Sequence, residues 1–257
     1  MRVVIIGAGN VATVFGRLII KANHEVTQVV SRSIDHAATL ANELGCPFSN
    51  DIKRMDGTAD IYIVAMADTA LNELHDSFFL GEKLIIHTAG SVSKDILKMT
   101  SVNYGVMYPL QSLRKENTGL HQDIPLLIDG NSEQTITMIE SFAVTLSSSV
   151  ERANDEQRLK LHVAAVIVSN FTNHMYSLAA DYCNKEGLNF KMLQPLIEET
   201  ALRLRYYSPA DMQTGPALRK DISTLDKHLR ILSSHPELKK VYLRMTDSIM
   251  NPATSTN

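Results

Sequence analysis

The chain has 257 residues, 44% of them hydrophobic and 21% charged, which is the composition of an ordinary globular protein with room for one large domain or two smaller ones. A formal net charge of −3, with no basic patch in either half, argues against a nucleic-acid partner. Cys46 and Cys183 are too few for a disulfide framework and have no metal-ligand spacing; no apolar run is long enough to span a bilayer and no signal-peptide pattern opens the chain, so the expectation is a cytoplasmic protein without metal or membrane partner.

Val3-Val4-Ile5-Ile6 leads into Gly7-Ala8-Gly9-Asn10-Val11-Ala12. Four apolar, mostly β-branched residues read as a parallel strand covered on both faces. Gly7 permits the tight turn, Gly9 lets a pyrophosphate approach the backbone, and Ala12 fills the small third position where helix meets strand. A helix is expected from Asn10, with Val11, Phe15, Leu18 and Ile19 facing the sheet and its free N–H groups directed at phosphates. The plain alternative is a glycine turn in some other α/β protein.

The second strand, Glu25–Val30, ends in Ser31-Arg32-Ser33. An NAD site places an acidic residue about here, on the ribose 2′-hydroxyl. Two hydroxyls and a guanidinium stand there instead, which suits a 2′-phosphate and indicates NADP(H). Ser33 also reads as the cap of a helix over Ile34–Leu44 that Gly45 ends.

Strand and helix then alternate. Residues 60–66 and 83–87 are buried strands, Asp68 caps a helix running through Leu71 and Leu74, and Ser91 or Ser93 opens a short one. Strands follow at 105–108 and 125–128, a helix at 132–146 and a last strand at 149–151. The pattern predicts a Rossmann-like α/β domain, a mostly parallel doubly wound sheet, over residues 1–152. Residues 153–257 read as an all-α domain for substrate binding and dimerisation, with helices at 155–185, 190–205, 216–233 and 236–249 and a polar tail from Asn251. The segment 155–185 holds no Gly or Pro. As one helix it would be about 45 Å long, and its apolar middle, 161–171, implies burial on several sides, hence a second subunit.

Ligands of an open α/β sheet bind outside the carboxyl ends of its strands. Ala65-Met66-Ala67-Asp68 offers small residues past which adenosine and ribose can run, or is a plain capped turn. Thr88-Ala89-Gly90 leaves room for a nicotinamide ring, Thr88 having a hydroxyl for ribose or carboxamide; His87 before it could relay a proton but reads first as a buried structural histidine. Tyr108 and Gln111, at a strand end fixed by Pro109, suit substrate binding. On the long helix His162, Val166, Asn170 and His174 recur at i+4 and so share one face, flanked by Ser169 and Asn173. Polar groups in an apolar stretch need partners, which makes either a polar network at a subunit interface or a catalytic set: Asn170 with His162 or His174. Asp211 to Asp221 contains Pro216 in the first turn of a helix capped by Thr214, where Gln213, Thr214 and Arg219 could hold an anionic substrate group.

Gly7-Ala8-Gly9-Asn10-Val11-Ala12, Ser31-Arg32-Ser33, His87-Thr88-Ala89-Gly90-Ser91, Tyr108-Pro109-Leu110-Gln111, Asn170-Phe171-Thr172-Asn173-His174 and Gln213-Thr214-Gly215-Pro216-Ala217 together resemble a bacterial family of NADP oxidoreductases. Its members join an NADP-type Rossmann domain to a C-terminal helical domain of unknown function. The architecture is similar to pyrroline-5-carboxylate reductase, to deazaflavin-dependent NADP reductases and, more distantly, to β-hydroxyacid dehydrogenases. The resemblance implies a homodimer built around the helical domains, with the active site in the cleft between domains. β-Hydroxyacid dehydrogenases carry Lys and Asn four residues apart on the corresponding helix. With Asn170 as that Asn, the Lys position is Val166, and Lys160 is out of register. That departure points away from hydroxyacids and toward an imine or carbonyl, with a histidine as proton source. The competing class is a non-catalytic NADP(H)-binding redox sensor or regulatory dimer.

Overall fold

A computed structural model describes residues 1–71, 74, 78–117 and 123–252; the end of the helix expected after Asp68 and the polar tail beyond Pro252 lie largely outside them. The chain divides into two compact units, Met1–Ser169 and Asn170–Asn257.

The first unit is built on an eight-stranded sheet: β1 (Arg2–Ile6), β2 (Glu25–Val30), β3 (Phe48–Ser49), β4 (Ile61–Val64), β5 (Leu84–His87), β6 (Asn103–Pro109), β7 (Leu126–Gly130) and β8 (Val150–Arg152). Its order is β3-β2-β1-β4-β5-β6-β7-β8. The first six are parallel, with Val3 opposite Ile61 and Leu84 opposite Asn103. β7 runs antiparallel to β6 and parallel to β8. Strand order reverses between β1 and β4, the crevice where such sheets bind dinucleotides.

The apolar runs are continuous because both faces are covered. Val3, Ile5, Ile61, Ile63, Leu84 and Ile86 join one core with Phe15, Ile19, Leu40 and Phe142. Val4, Ile6, Tyr62, Val64 and Ile85 join the other with Leu71 and Leu97. Neighbouring strand residues thus alternate between cores, as the two-residue period of a strand requires. The first core includes Phe15 and Ile19 from α1 (Asn10–Lys21), Leu40 from α2 (Ile34–Leu44) and Phe142 from α4 (Glu133–Leu146). Ser33 and Ser132 accept the first-turn N–H groups of His36 and Thr135, and Gly45 ends α2 at φ +70°. α3, described over Asp68–Leu71, follows β4.

The long helical segment is not one α-helix. It runs as α5 (Asp155–Ala165), a π turn (Val166–Phe171) and α6 (Thr172–Lys185). A π turn closes i→i+5 rather than i→i+4, so the phase slips between Val166 and Phe171. The i+4 spacing of His162, Val166, Asn170 and His174 therefore does not mark a single face. Along its apolar middle Val163, Ile167, Val168 and Phe171 are all exposed.

The second unit adds α7 (Gln194–Leu202), α8 (Ile222–Ile231) and α9 (Pro236–Met250), with 3-10 turns at Phe190–Leu193, Arg203–Arg205 and Leu232–Ser234. The helix expected from Pro216 begins six residues later. Lys220 takes φ +54°, outside helical geometry, and Asp221 accepts the N–H of Thr224 at 3.1 Å, so Asp221 rather than Thr214 is the cap. Among the described residues of this unit only Cys183, Ala217, Leu225 and Leu232 are buried apolar side chains. Glu186 bonds His235 at 2.7 Å, and His228 bonds the Tyr242 hydroxyl at 2.7 Å.

Candidate dinucleotide and active site

A cleft of about 430 Å³ opens at the carboxyl ends of β1, β2 and β4, lined by Gly7 to Gly9, Ser31, Arg32, Asn50, Asp51 and Ala65 to Ala67 among others. Gly7 has φ +121°, and a Cβ there would stand 2.1 Å from the Ala65 carbonyl oxygen; the turn closes against β4 only with glycine. At Gly9 the same test meets nothing within 4 Å, so the space beside it is open to a ligand. Gly9 is also the N-cap of α1, with no side-chain cap and no acidic residue in the first turn. The capped starts of α2 and α4 each carry an acid there. The first-turn amides of α1 are thus left for an anion.

Gly7, Gly9, Ser31, Arg32, Ala65, Met66 and Ala67 all line this cleft. Asn10, Val11 and Ala12 form the first turn of α1, where Ala12 is fully buried. Ser33 serves as the cap of α2. Asn50, Asp51 and Ile52 line the cleft too and escaped the sequence reading. They follow β3, whose two residues are too few for any periodicity and become a strand only by pairing with β2.

A second constellation lies two strands along, at the ends of β5 and β6. The Tyr108 hydroxyl is 2.9 Å from His162 Nδ1, with the rings edge to face at 5.8 Å. Gly90 lies against both: a Cβ on it would be 2.8 Å from His162 Nδ1 and 2.9 Å from the Tyr108 ring. Burial, reinforced by the negative charge of Asp68 and opposed by Arg158, raises the Tyr108 phenol above its usual pKa, so it stays protonated at neutral pH. Asp68 accepts the Ser91 hydroxyl. Gln111 is exposed, its Oε1 accepting the Ser112 N–H.

Close enough for its charge to act on Tyr108 lies an ionic group centred on Arg158. Arg158, 1% exposed, donates from Nη2 to the Val92 carbonyl and to Asp155 at 2.7 Å, while its Nε and Nη1 find no hydrogen-bond partner among the described residues. Burial alone would raise Asp155, but hydrogen bonds from Ser93 and Arg158 outweigh it and hold the carboxyl below its usual value. Lys94 pairs with Asp129 at 2.8 Å. His87 is fully buried; its Nδ1 accepts the Ala89 N–H at 3.2 Å. Burial and the Arg158 charge lower its pKa to about 4. Among the described residues its Nε2 has no partner in bonding geometry, though the Ser93 backbone favours the charged ring. Thr88 is buried too and turns its hydroxyl to the Val64 carbonyl at 3.4 Å.

Asn170 is exposed in the π turn, and Asn173 and His174 are exposed at the start of α6. Gln213 donates to the Thr214 carbonyl at 2.9 Å, and both residues are exposed. These belong to the second unit. Among the described residues no group of histidines, cysteines and acids could hold a metal ion, and no helix is long and apolar enough to cross a membrane.

Comparison with solved structures decides the family. An NADP oxidoreductase from Bacteroides fragilis, so named provisionally, is 35% identical over 97% of this chain and 98% of its own, with a TM-score of 0.88. The chain belongs to this family of NADP oxidoreductases. Residues 2–90 match the domain family described as NADP oxidoreductase, coenzyme F420-dependent, and residues 124–249 match the domain of unknown function DUF2520. The oxidoreductase shares its fold with pyrroline-5-carboxylate reductase of Streptococcus pyogenes, at 14% identity over 98% of both chains and TM-score 0.67. It also shares it with an imine reductase of Myxococcus stipitatus solved with NADP+, at 13% identity over 98% of this chain and 92% of that one and TM-score 0.62. No functionally curated protein matches. The cofactor of the oxidoreductase is NADP(H), and the cleft fits it: open space at Gly9, uncapped amides at α1 and a guanidinium at Arg32.

Proposed function

We propose that this protein is an NADP(H)-dependent oxidoreductase that reduces a small imine or carbonyl compound, or oxidises the corresponding product. The observation that carries the reading is the continuity of the carboxyl edge. The cleft begins at β2, with Ser31 and Arg32 for a 2′-phosphate, passes the α1 amides at β1, and reaches Ala65 to Ala67 at β4. Strands lie about 4.8 Å apart, so an extended dinucleotide that enters at β2 ends near β5, where Thr88, Ala89 and Gly90 lie.

When bound, NADPH supplies a hydride; that chemistry belongs to the cofactor. The protein's share is position and proton handling. Within the first unit, Tyr108 and Gln111, at and just beyond the end of β6, are the substrate-binding groups and His162 the polar group bonded to Tyr108; on the second unit, taken by itself, Asn170 and His174 are the candidates for the catalytic step and Asn173, Gln213 and Thr214 those for further substrate binding. Val166 leaves no lysine to protonate an alkoxide, which favours substrates other than hydroxyacids. A homodimer through the C-terminal helices is part of the proposal. It is supported by the exposed apolar side chains of the helical segments, among them Val168 at 72% and Met192 at 76% exposure, which a water-facing surface does not normally gather.

The test is a titration of NADPH and NADH into the purified protein and into Arg32→Ala. Losing a charge-assisted phosphate contact costs about 1.5–3 kcal/mol, so NADPH should bind roughly 10- to 100-fold more weakly to the variant while NADH is little changed. Binding of neither nucleotide to the unmodified protein ends the proposal.

A further inference from the structure

We infer that Tyr108 is the group that delivers the proton to the substrate, with His162 holding the phenol in place and restoring its proton. The inference rests on the oxidoreductase reading above and adds to it the acid of the reaction.

Three observations carry it. The Tyr108 hydroxyl and His162 Nδ1 are 2.9 Å apart, a bonded pair joining a strand end to a helix. Gly90 closes on the pair so tightly that one added carbon would lie 2.8 Å from Nδ1 and 2.9 Å from the phenol ring. The pair is therefore fixed against the loop at the end of β5, where the proposed function puts the reactive end of the dinucleotide. Neither ring is sealed in the core, since both Tyr108 and His162 are half-buried. His87, by contrast, is fully buried, is lowered to about 4 and already spends Nδ1 on Ala89; it is a poor proton source. The charges near Tyr108 are Asp68 and Arg158. Arg158 is paired with Asp155, and Asp68 favours the protonated phenol.

The step balances simply. With NADPH bound as the hydride source, the carbon of C=N or C=O would take the hydride and the π pair would move to nitrogen or oxygen. That atom takes the proton from the Tyr108 hydroxyl. The phenolate recovers a proton from the Nδ1–H of His162 as Nε2 takes one from water, which leaves as hydroxide. Tyr108 is the catalytic residue; His162 is a positioning residue acting through it.

The probes are 3,4-dihydroisoquinoline, assayed at alkaline pH where it is neutral, and its N-methyl iminium salt, which accepts hydride without any proton. A general acid contributes roughly 10²- to 10⁴-fold. Tyr108→Phe should lose about that factor in kcat on the neutral imine, lose far less on the iminium salt, and bind NADPH as the unmodified protein does. His162→Asn, which offers a hydrogen bond near the Nδ1 position but no transferable proton, should be impaired on the neutral imine alone. Independently of turnover, ¹⁵N NMR should show the His162 Nδ1 resonance moving in Tyr108→Phe. Equal losses on both probes would reduce Tyr108 to a structural role, and undiminished imine reduction by Tyr108→Phe would remove it from the chemistry; either overturns the inference, as does an unmoved Nδ1 resonance. Failure of the unmodified protein to bind NADPH is a different result, fatal to the oxidoreductase reading first. Binding without reduction of either probe overturns both.

Discussion

His87 should make the first unit acid-sensitive by an amount the structure sets. In the unfolded chain the imidazole titrates near 6.5; in the folded protein burial, then the Arg158 charge, lowers it to about 4. Between those values the unfolded chain binds a proton that the native protein refuses. The stability contributed by the neutral ring is therefore complete above pH 6.5 and is lost as pH falls toward 4. At about 1.36 kcal/mol per pH unit, the gap from 6.5 to about 4 amounts to about 3 kcal/mol, a large part of the roughly 5–15 kcal/mol that holds a domain together. The comparison is urea unfolding at steps between pH 7 and 4.5 for the unmodified protein and His87→Asn. Asparagine retains an acceptor for the Ala89 N–H and does not titrate. The variant will start lower at pH 7, but its stability should fall less steeply. His24 is also lowered, by burial and then by the N-terminal charge, and adds the same slope to both proteins, so it cancels. Parallel curves would show that His87 is not held neutral and that the burial argument is wrong.

Three other outcomes follow from the geometry. Gly7→Ala meets both a positive φ and a carbonyl 2.1 Å away, so its cost should exceed the ~1–3 kcal/mol of a strained backbone alone, whereas Gly9→Ala, with open space around it, should change the melting midpoint little yet weaken NADPH binding. Asn154→Ala removes one half of the capping box at the start of α5, in which Asn154 and Gln157 each accept the other's backbone N–H; a loss of about 1 kcal/mol is expected in chemical denaturation. Val168→Glu together with Phe171→Glu places charge on the exposed apolar helix and should convert a dimer to monomers in sedimentation velocity; a monomeric unmodified protein would contradict the dimer outright.

The parts of this fold that could be read from the sequence are those where one physical signal acts locally. A run such as Val3 to Ile6 followed by glycine states its strand, its burial and its turn at once, and Ser33, Ser132 and Gly45 announce the helix ends they form. What could not be read depended on partners far along the chain. β3 exists because β2 pairs with it, and with it come Asn50 and Asp51 in the cleft. Pro216 looks like a helix start, yet Lys220 in a left-handed conformation and the Asp221 cap move that start to Ile222. Tyr108 and His162 each stood out as a polar residue in a suggestive place. That they bond to one another across 54 positions is a tertiary fact that no spacing rule carries.

The π turn bears on how the chain tolerates changes of length. An α-helix advances 100° per residue, so deleting a residue from its interior ordinarily rotates everything downstream and moves apolar groups to the wrong side. Between Val166 and Phe171 the helix already accommodates a surplus position. Deletion of one residue there can be absorbed by tightening the turn into regular α-helix. Natural length variation inside this helix is thus expected at this point, and an engineered single-residue deletion should be tolerated here and nowhere else in α5 or α6.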